Sequence, residues 1–281
     1  MKVNRGNGLC RAFALLMAIM LCAGLLTACG GGDSYDDYAA AYNRVTANGG
    51  MDADLSATLK MDGTTTRCSG NFKVDTKSNI LYYQMTSGND TITQFSDGTY
   101  LYTEQGGHKT KYALNSKPSQ SSAQDKQGRK DSSGSVFNTD EFLQEFSSFL
   151  EAGKIRELGL LSPIAKAVVT KTDKSGNTYT LQVADSLVKT YLNTLAANES
   201  GSGDTIQLTE LNDFNYSATA ENDLISSVTY SGTIAVNVPA SLMASGEAAD
   251  YELEFSITAS FNNPGSEVSI DLPSADGYTE V

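Results

Sequence analysis

From Tyr251 to Phe261 the chain alternates without a break. Tyr251, Leu253, Phe255, Ile257, Ala259 and Phe261 are interleaved with Glu252, Glu254, Ser256, Thr258 and Ser260. A period of two places successive side chains on opposite faces of an extended strand, so this segment has one buried face and one wet face. Such a strand belongs in an antiparallel sheet, because parallel strands are covered on both faces and read as continuous apolar runs. Near the other end of the chain, Ala53, Leu55, Ala57, Leu59 and Met61 alternate in the same way with Asp54, Ser56, Thr58, Lys60 and Asp62.

Between these segments, short alternating runs predict strands at Thr66–Val74, Ile80–Thr86, Thr91–Ser96, Thr99–Glu104 and His108–Leu114. Asp97-Gly98 predicts a two-residue type I′ turn, while Ser87-Gly88-Asn89-Asp90 and Gly106-Gly107 mark other reversals. This half reads as a meander. A second strand-rich block begins with a hairpin of Ala165–Asp173 and Thr178–Val183 around Lys174-Ser175-Gly176-Asn177. Four long strands follow, with cores at Thr205–Leu211, Phe214–Ala220, Ile225–Val238 and Ala249–Asn262, and then a short strand at Glu267–Leu272 before Pro273. Neither block contains a detectable repeat, so residues 51–281 are read as one domain.

Helical periodicity appears between the two blocks. Phe142, Phe146, Phe149 and Leu150 lie at i, i+4, i+7 and i+8, with Asn138 or Thr139 as a cap and Gly153 at the far end. Asp185 or Ser186 caps a second helix that carries Leu187, Val188, Tyr191, Leu192 and Leu195 on one face. Residues 115–135 contain one apolar residue, Ala123, and predict a disordered loop. Residues 29–50 read as a tether rich in Gly, Asp and Ala, with a short helix near Tyr38–Thr46. The fold class is therefore α+β.

Charge and residue supply exclude several kinds of chemistry. A formal balance of −13 gives no basic footprint for nucleic acid. The single histidine, His108, and only four cysteines argue against most zinc sites and against a His-dependent triad, unless a partner chain supplies ligands. Asp33, Asp36 and Asp37 lack the glycine and terminal glutamate of an EF-hand loop and read as a solvated group. No metal or cofactor is expected. Ser186-Leu187-Val188-Lys189 matches the Ser-x-x-Lys pattern of some serine hydrolases, but Leu187 and Val188 belong to the helix face and Ser186 suits a cap. His108 reads as an exposed turn residue. The 14 Tyr favour strands, and without Trp they make a weak case for carbohydrate binding.

The first residues read as an address. Lys2, Arg5 and Arg11 form a basic region ahead of an apolar run from Ala12 to Leu26, which is the pattern of a secretory signal. The run ends in Leu26-Thr27-Ala28-Cys29, which resembles the lipobox of bacterial lipoproteins. The resemblance implies recognition of Leu26 and Ala28 by the lipoprotein signal peptidase, removal of residues 1–28, and acylation of the Cys29 thiol. An ordinary secretory signal and a retained membrane helix are the alternatives, although Ala12–Ala28 is at the short limit for a span. Acyl chains hold a protein on a bilayer through about 0.8 kcal/mol per buried methylene. Processing would remove Cys10 and Cys22 and leave Cys68 as the one unmodified cysteine, read as a buried, inert thiol on the inward positions 68, 70, 72 and 74. It would also leave 17 basic against 33 acidic residues, a balance that keeps the body away from anionic headgroups.

The layout as a whole resembles bacterial lipoproteins of the LolA/LppX-like superfamily. The likeness rests on the lipobox, the opening Asp54-Leu55-Ser56-Ala57-Thr58-Leu59-Lys60, the meander, the central amphipathic helices, the long alternating strands and the closing Val268-Ser269-Ile270-Asp271-Leu272-Pro273. It implies a strongly curved antiparallel half-barrel whose concave face is covered by amphipathic helices and encloses an apolar cavity for acyl chains. The resulting expectation is a non-enzymatic, lipid-anchored protein on the extracytoplasmic face of the cell membrane, with a lipid or a lipoprotein acyl chain as ligand. Phe142, Phe146, Phe149, Leu150, Leu187 and Tyr191 are the expected cavity residues. The same apolar faces could instead pack as a solid core, in an extracytoplasmic interaction or sensor module.

Overall fold

A computed structural model describes residues 33–61, 63–114, 163–164, 169–186, 189, 207–238, 240 and 247–280. It contains a 12-stranded sheet in the order β12-β6-β5-β4-β3-β2-β1-β11-β10-β9-β8-β7. The first meander comprises β1 (Gly50–Met61), β2 (Thr64–Asp75), β3 (Ile80–Ser87), β4 (Asp90–Ser96), β5 (Tyr100–Gln105) and β6 (His108–Ala113). The second comprises β7 (Val169–Ser175), β8 (Thr178–Val183), β9 (Gln207–Glu221), β10 (Leu224–Val238) and β11 (Ala249–Phe261), and β12 (Thr279–Glu280) ends the order. The two alternating segments that dominate the sequence meet in the middle: β1 and β11 pair antiparallel, with Leu55 opposite Ala259 and Leu59 opposite Phe255. The sheet is not closed. One edge is β7, where exposed Lys171, Asp173 and Lys174 discourage further strand pairing. At the other edge β12 pairs with β6 in parallel, over Thr279 and Glu280.

Alternation sorts the strands into an inner, apolar face and an outer, wet face. On β11, Leu253, Phe255, Ile257, Ala259 and Phe261 are all buried. On β2, Cys68, Phe72 and Val74 are buried as the even-position reading requires, and Cys68 is a free thiol. Gly70 stands between them because a Cβ there would come 2.0 Å from the Gln84 carbonyl oxygen. Across the outer face, Thr180, Ser217, Thr229, Thr258, Ser56, Ser69, Thr86 and Thr91 sit side by side on successive strands. Thr229 and Thr258 hydroxyls lie 2.9 Å apart, and Thr86 and Thr91 hydroxyls 3.0 Å apart. Such rows suit a solvated sheet face, because threonine combines β propensity with cross-strand hydrogen bonding.

The structure departs from the sequence expectations in four places. First, the short helix expected near Tyr38–Thr46 is present but begins earlier, as α1 (Asp33–Val45), and its Tyr35, Tyr38, Ala41, Tyr42 and Val45 are buried in the core where a solvated tether was expected. Tyrosine supplies most of this stripe, and the intervening Asp36, Asp37, Asn43 and Arg44 mask its helical period. Second, the strands expected at 205–211 and 214–220 are one strand, β9. Asp213 takes φ 54° and the register against β10 shifts between Ser231 and Thr233, so the polar interruption is a bulge and not a turn. Third, no strand forms at 267–272. The neighbouring β1 is already paired on both sides by β2 and β11, and the segment packs through Val268, which lies where a Gly50 Cβ would be 2.9 Å from it. Fourth, Asp97-Gly98 is not a type I′ turn, because only Gly98 has positive φ and the loop extends to Thr99. The Asp97 carboxylate organises that loop by accepting from the amides of Thr99 and Tyr100, each at 2.8 Å.

An open antiparallel sheet with one apolar face is thus present. The helices expected at 142–150 and beyond Lys189, and the loop expected at 115–135, lie outside the described residues. Among the described residues, no helix is long and apolar enough to cross a membrane.

Candidate functional site

The inner face is the feature with functional potential, and its register shows how it is graded. One row of neighbouring side chains runs Phe261, Ala53, Phe72, Tyr83, Gln94, Thr103 and Thr110 from β11 to β6. The next row runs Ala259, Leu55, Gly70, Met85, Ile92, Gln105 and His108. From β11 to β3 the rows are apolar or aromatic; from β4 to β6 the first row becomes amide and hydroxyl, while the second runs through Ile92, Gln105 and His108, and the inward Leu101 nearby is buried and apolar. Gln94, Ser96 and Thr103 are nevertheless buried, with 6%, 1% and 5% of their surface exposed. Ser96 is explained by its turn, since its Oγ accepts from the Gly98 amide at 3.1 Å. Gln94 donates through Nε2 to Thr103 Oγ1 at 3.4 Å, which is the long limit of a hydrogen bond.

Helix α1 crosses the inner face over β7–β11 and builds an aromatic block there. Tyr38 contacts Tyr35, Tyr42, Tyr179 and Tyr216 edge-on or tilted, Tyr216 contacts Tyr230, and Tyr42 contacts Phe261. The hydroxyls of Tyr38 and Tyr216 are 2.7 Å apart. The Ile164 amide donates to the Tyr38 hydroxyl at 3.1 Å, and Tyr35 donates to the Ile164 carbonyl at 2.7 Å. Burial pushes the Tyr38, Tyr42, Tyr216 and Tyr230 phenols above their ordinary range, and neighbouring tyrosines add to this for the first three. This region is a packed core, so α1 closes one end of the inner face.

The outer face of β4 and β5 has its own aromatic cluster. Phe95 stacks on Tyr102 at 4.6 Å, and Tyr278 of the C-terminal segment sits edge-on to both. Tyr102 donates to Asp97 at 2.9 Å; burial, then the Asp97 carboxylate, push its phenol up to about 12. Burial raises the Asp97 carboxyl, but hydrogen bonds from the Tyr100 and Thr99 amides and from Tyr102 outweigh it and hold the group below its ordinary value. These contacts anchor the C-terminal segment beside β12 and present no arrangement for chemistry.

The residues singled out from sequence fall as follows. Cys29, Leu26 and Ala28 lie outside the described residues, as do Phe142, Phe146, Phe149, Leu150, Leu187 and Tyr191. His108 is exposed at the start of β6, after Gly106 and Gly107, which both have positive φ. Ser186 is exposed in a helical turn, and the Lys189 ammonium donates to the Thr209 carbonyl. Among the described residues, no three His, Cys, Asp or Glu side chains gather to hold a metal ion. Gln94 and Thr103 are the inner-face residues that sequence reading missed. The signal was ambiguous because Ile92 and Phe95 in the same strand point to opposite faces, so apolarity alone does not say which parity is inward.

No protein-family model matches the chain, and no curated protein matches it. Among solved structures, the chain is similar to the lipoprotein LppX of Mycobacterium tuberculosis at 9% identity and a TM-score of 0.36, covering 85% of this chain and 100% of that one. It is also similar to a DUF1329 family protein of Desulfovibrio piger at 6% identity and a TM-score of 0.28, covering 85% and 95% of the two chains. Likenesses of this size assign no family and carry no argument about function.

Proposed function

We propose that this chain is a lipid-anchored, extracytoplasmic protein that binds an apolar or amphiphilic ligand, a lipid or an acyl chain, against the inner face of its sheet, without catalysis. The observation that carries the reading is that inner face: it is apolar across β1, β2, β3 and β8–β11 of an unclosed sheet, and among the described residues α1 packs over one side of it. An apolar surface of this size must be covered by side chains or by ligand, since leaving it in water costs about 25 cal/mol per Å². We assign the cover to Phe142, Phe146, Phe149, Leu150, Leu187 and Tyr191, with acyl chains between them and a sheet curved by the β9–β10 bulges. Cys29 is the acylated residue in this reading, with Leu26 and Ala28 read by the signal peptidase. Only three glycines separate Cys29 from α1, so about 14 Å of extended chain holds the packed domain near the bilayer.

Measurements of anchoring, of uptake and of bound lipid test this. Mass spectrometry of the membrane-extracted protein should show diacylglyceryl on Cys29, and Cys29→Ala should release the protein from the membrane fraction. Phe146→Asp should abolish uptake of a fluorescent fatty acid while the far-ultraviolet circular dichroism of the sheet is unchanged. Normal uptake by that variant rejects the role of Phe146. Native mass spectrometry that finds no bound lipid, with no uptake by the unaltered protein, favours the solid interaction module.

A further inference from the structure

We propose that the β4–β6 part of the inner face is a polar subsite, centred on Gln94 with Thr103 and Thr110, that takes an uncharged hydrogen-bonding group of the ligand. The inference rests on the ligand-binding reading above and specifies which amphiphiles the face accepts. Gln94 is the anomaly behind it. A carboxamide has two N–H donors and a carbonyl with two lone pairs, yet Gln94 makes a single 3.4 Å bond to Thr103 among the described residues, although only 6% of its surface is exposed. The one long bond leaves the second N–H and the carbonyl lone pairs of this carboxamide available to another polar group. The neighbouring Thr103 is equally buried, and Thr110 lies beside it in the same row. Together they place one donor–acceptor carboxamide and two hydroxyls next to each other on three strands.

The position suits a headgroup. Gln94 is four strands from Phe261 along its row, about 19 Å of sheet at about 4.8 Å per strand, and the intervening positions are Ala53, Phe72 and Tyr83. A chain lying on the apolar part would thus bring its polar end to the amide. Charge decides which polar end. The inward positions of β1 to β6 and of β11 carry no Lys or Arg; Lys109 and Lys111 of β6 are on the alternate, outward positions. Asp90, at the exposed start of β4, adds negative charge on the inward parity. A carboxylate or phosphate would be desolvated there without a counter-ion, which is costly, whereas an ester, amide or hydroxyl would find both a donor and an acceptor.

The test compares monooleoylglycerol with oleate, which share a chain and differ in head charge, by native mass spectrometry of the full chain released from detergent micelles. The unaltered protein should retain monooleoylglycerol in preference to oleate. Gln94→Leu should weaken monooleoylglycerol binding about fivefold to tenfold and leave oleate unchanged. Thr103→Val serves as a second probe if Gln94→Leu fails to fold, and it should act in the same direction. Gln84→Leu, on the outward parity of β3, should change neither ligand. Equal retention of the two ligands, or a Gln94→Leu or Thr103→Val protein with unaltered preference, overturns the subsite while leaving lipid binding intact. Binding of neither ligand by the unaltered protein overturns both.

Discussion

Raising the pH should unfold this protein through its tyrosine block, and the size of the effect can be worked from the structure. Tyr38, Tyr42, Tyr216 and Tyr230 are held neutral by burial, with pKa values above that of an unfolded tyrosine, about 10. A proton held more tightly in the folded state contributes stability in full below the unfolded pKa, and that contribution is lost as pH rises from there through the folded value. At pH 11 each such tyrosine costs about 1.4 kcal/mol of stability, and four together about 5–6 kcal/mol. This is comparable to the whole stability of a typical domain, about 5–15 kcal/mol. A spectrophotometric titration should therefore show exposed tyrosines ionising first, then a steep cooperative step at about pH 11–12 that coincides with loss of the far-ultraviolet signal. Tyr38→Phe should cost about 1–2 kcal/mol at neutral pH, because the Tyr216 hydroxyl and the Ile164 amide lose a partner. It should also make the alkaline step shallower. If all 14 tyrosines ionise together near their ordinary pKa while the sheet stays folded, α1 is not packed on the inner face and the reasoning fails.

Two further outcomes follow from the same contacts. Gly70→Ala should lower the urea midpoint by an amount equivalent to about 2 kcal/mol or more, because the Gln84 carbonyl oxygen is backbone and cannot swing away; an unchanged midpoint would show that β2 and β3 are not in this register. Asp52 and Asp97 both have lowered pKa values, so the stability they contribute is present above the unfolded value of about 3.9 and is lost as pH falls through the folded values. Urea titrations at descending pH should show this loss, and Asp97→Ala should reduce it at a cost of about 1 kcal/mol near neutrality, a modest figure because the carboxylate is largely exposed.

Much of the sheet was legible because burial on one face leaves a direct mark on composition. β1, β2 and β11 could be read to within a residue or two, since a slip of one position would turn their apolar side chains to water. Helix α1 was harder to read, because its stripe is built from tyrosine, whose hydroxyl lowers its apparent hydropathy although Tyr38 and Tyr42 are fully buried. β9 was divided in two because Asn212 and Asp213 resemble a turn; only pairing with β10 identifies them as a bulge. Gln94 was invisible for a related reason, since a glutamine in an alternating run is expected to face solvent.

By itself the amino-acid sequence determined the antiparallel sheet with one wet face, the scarcity of His and Cys, and the signal-like segment with Cys29 at its end. These are local properties, set by the two-residue period, by residue supply and by a contiguous motif. Tertiary structure alone decided that strands from opposite ends of the chain pair at the centre of the sheet, that three tyrosines of α1 help to close one side of its inner face, and that a buried carboxamide lies at the polar end of that face. Each of these depends on which strands become neighbours, and the alternation of a single strand contains no information about its partner.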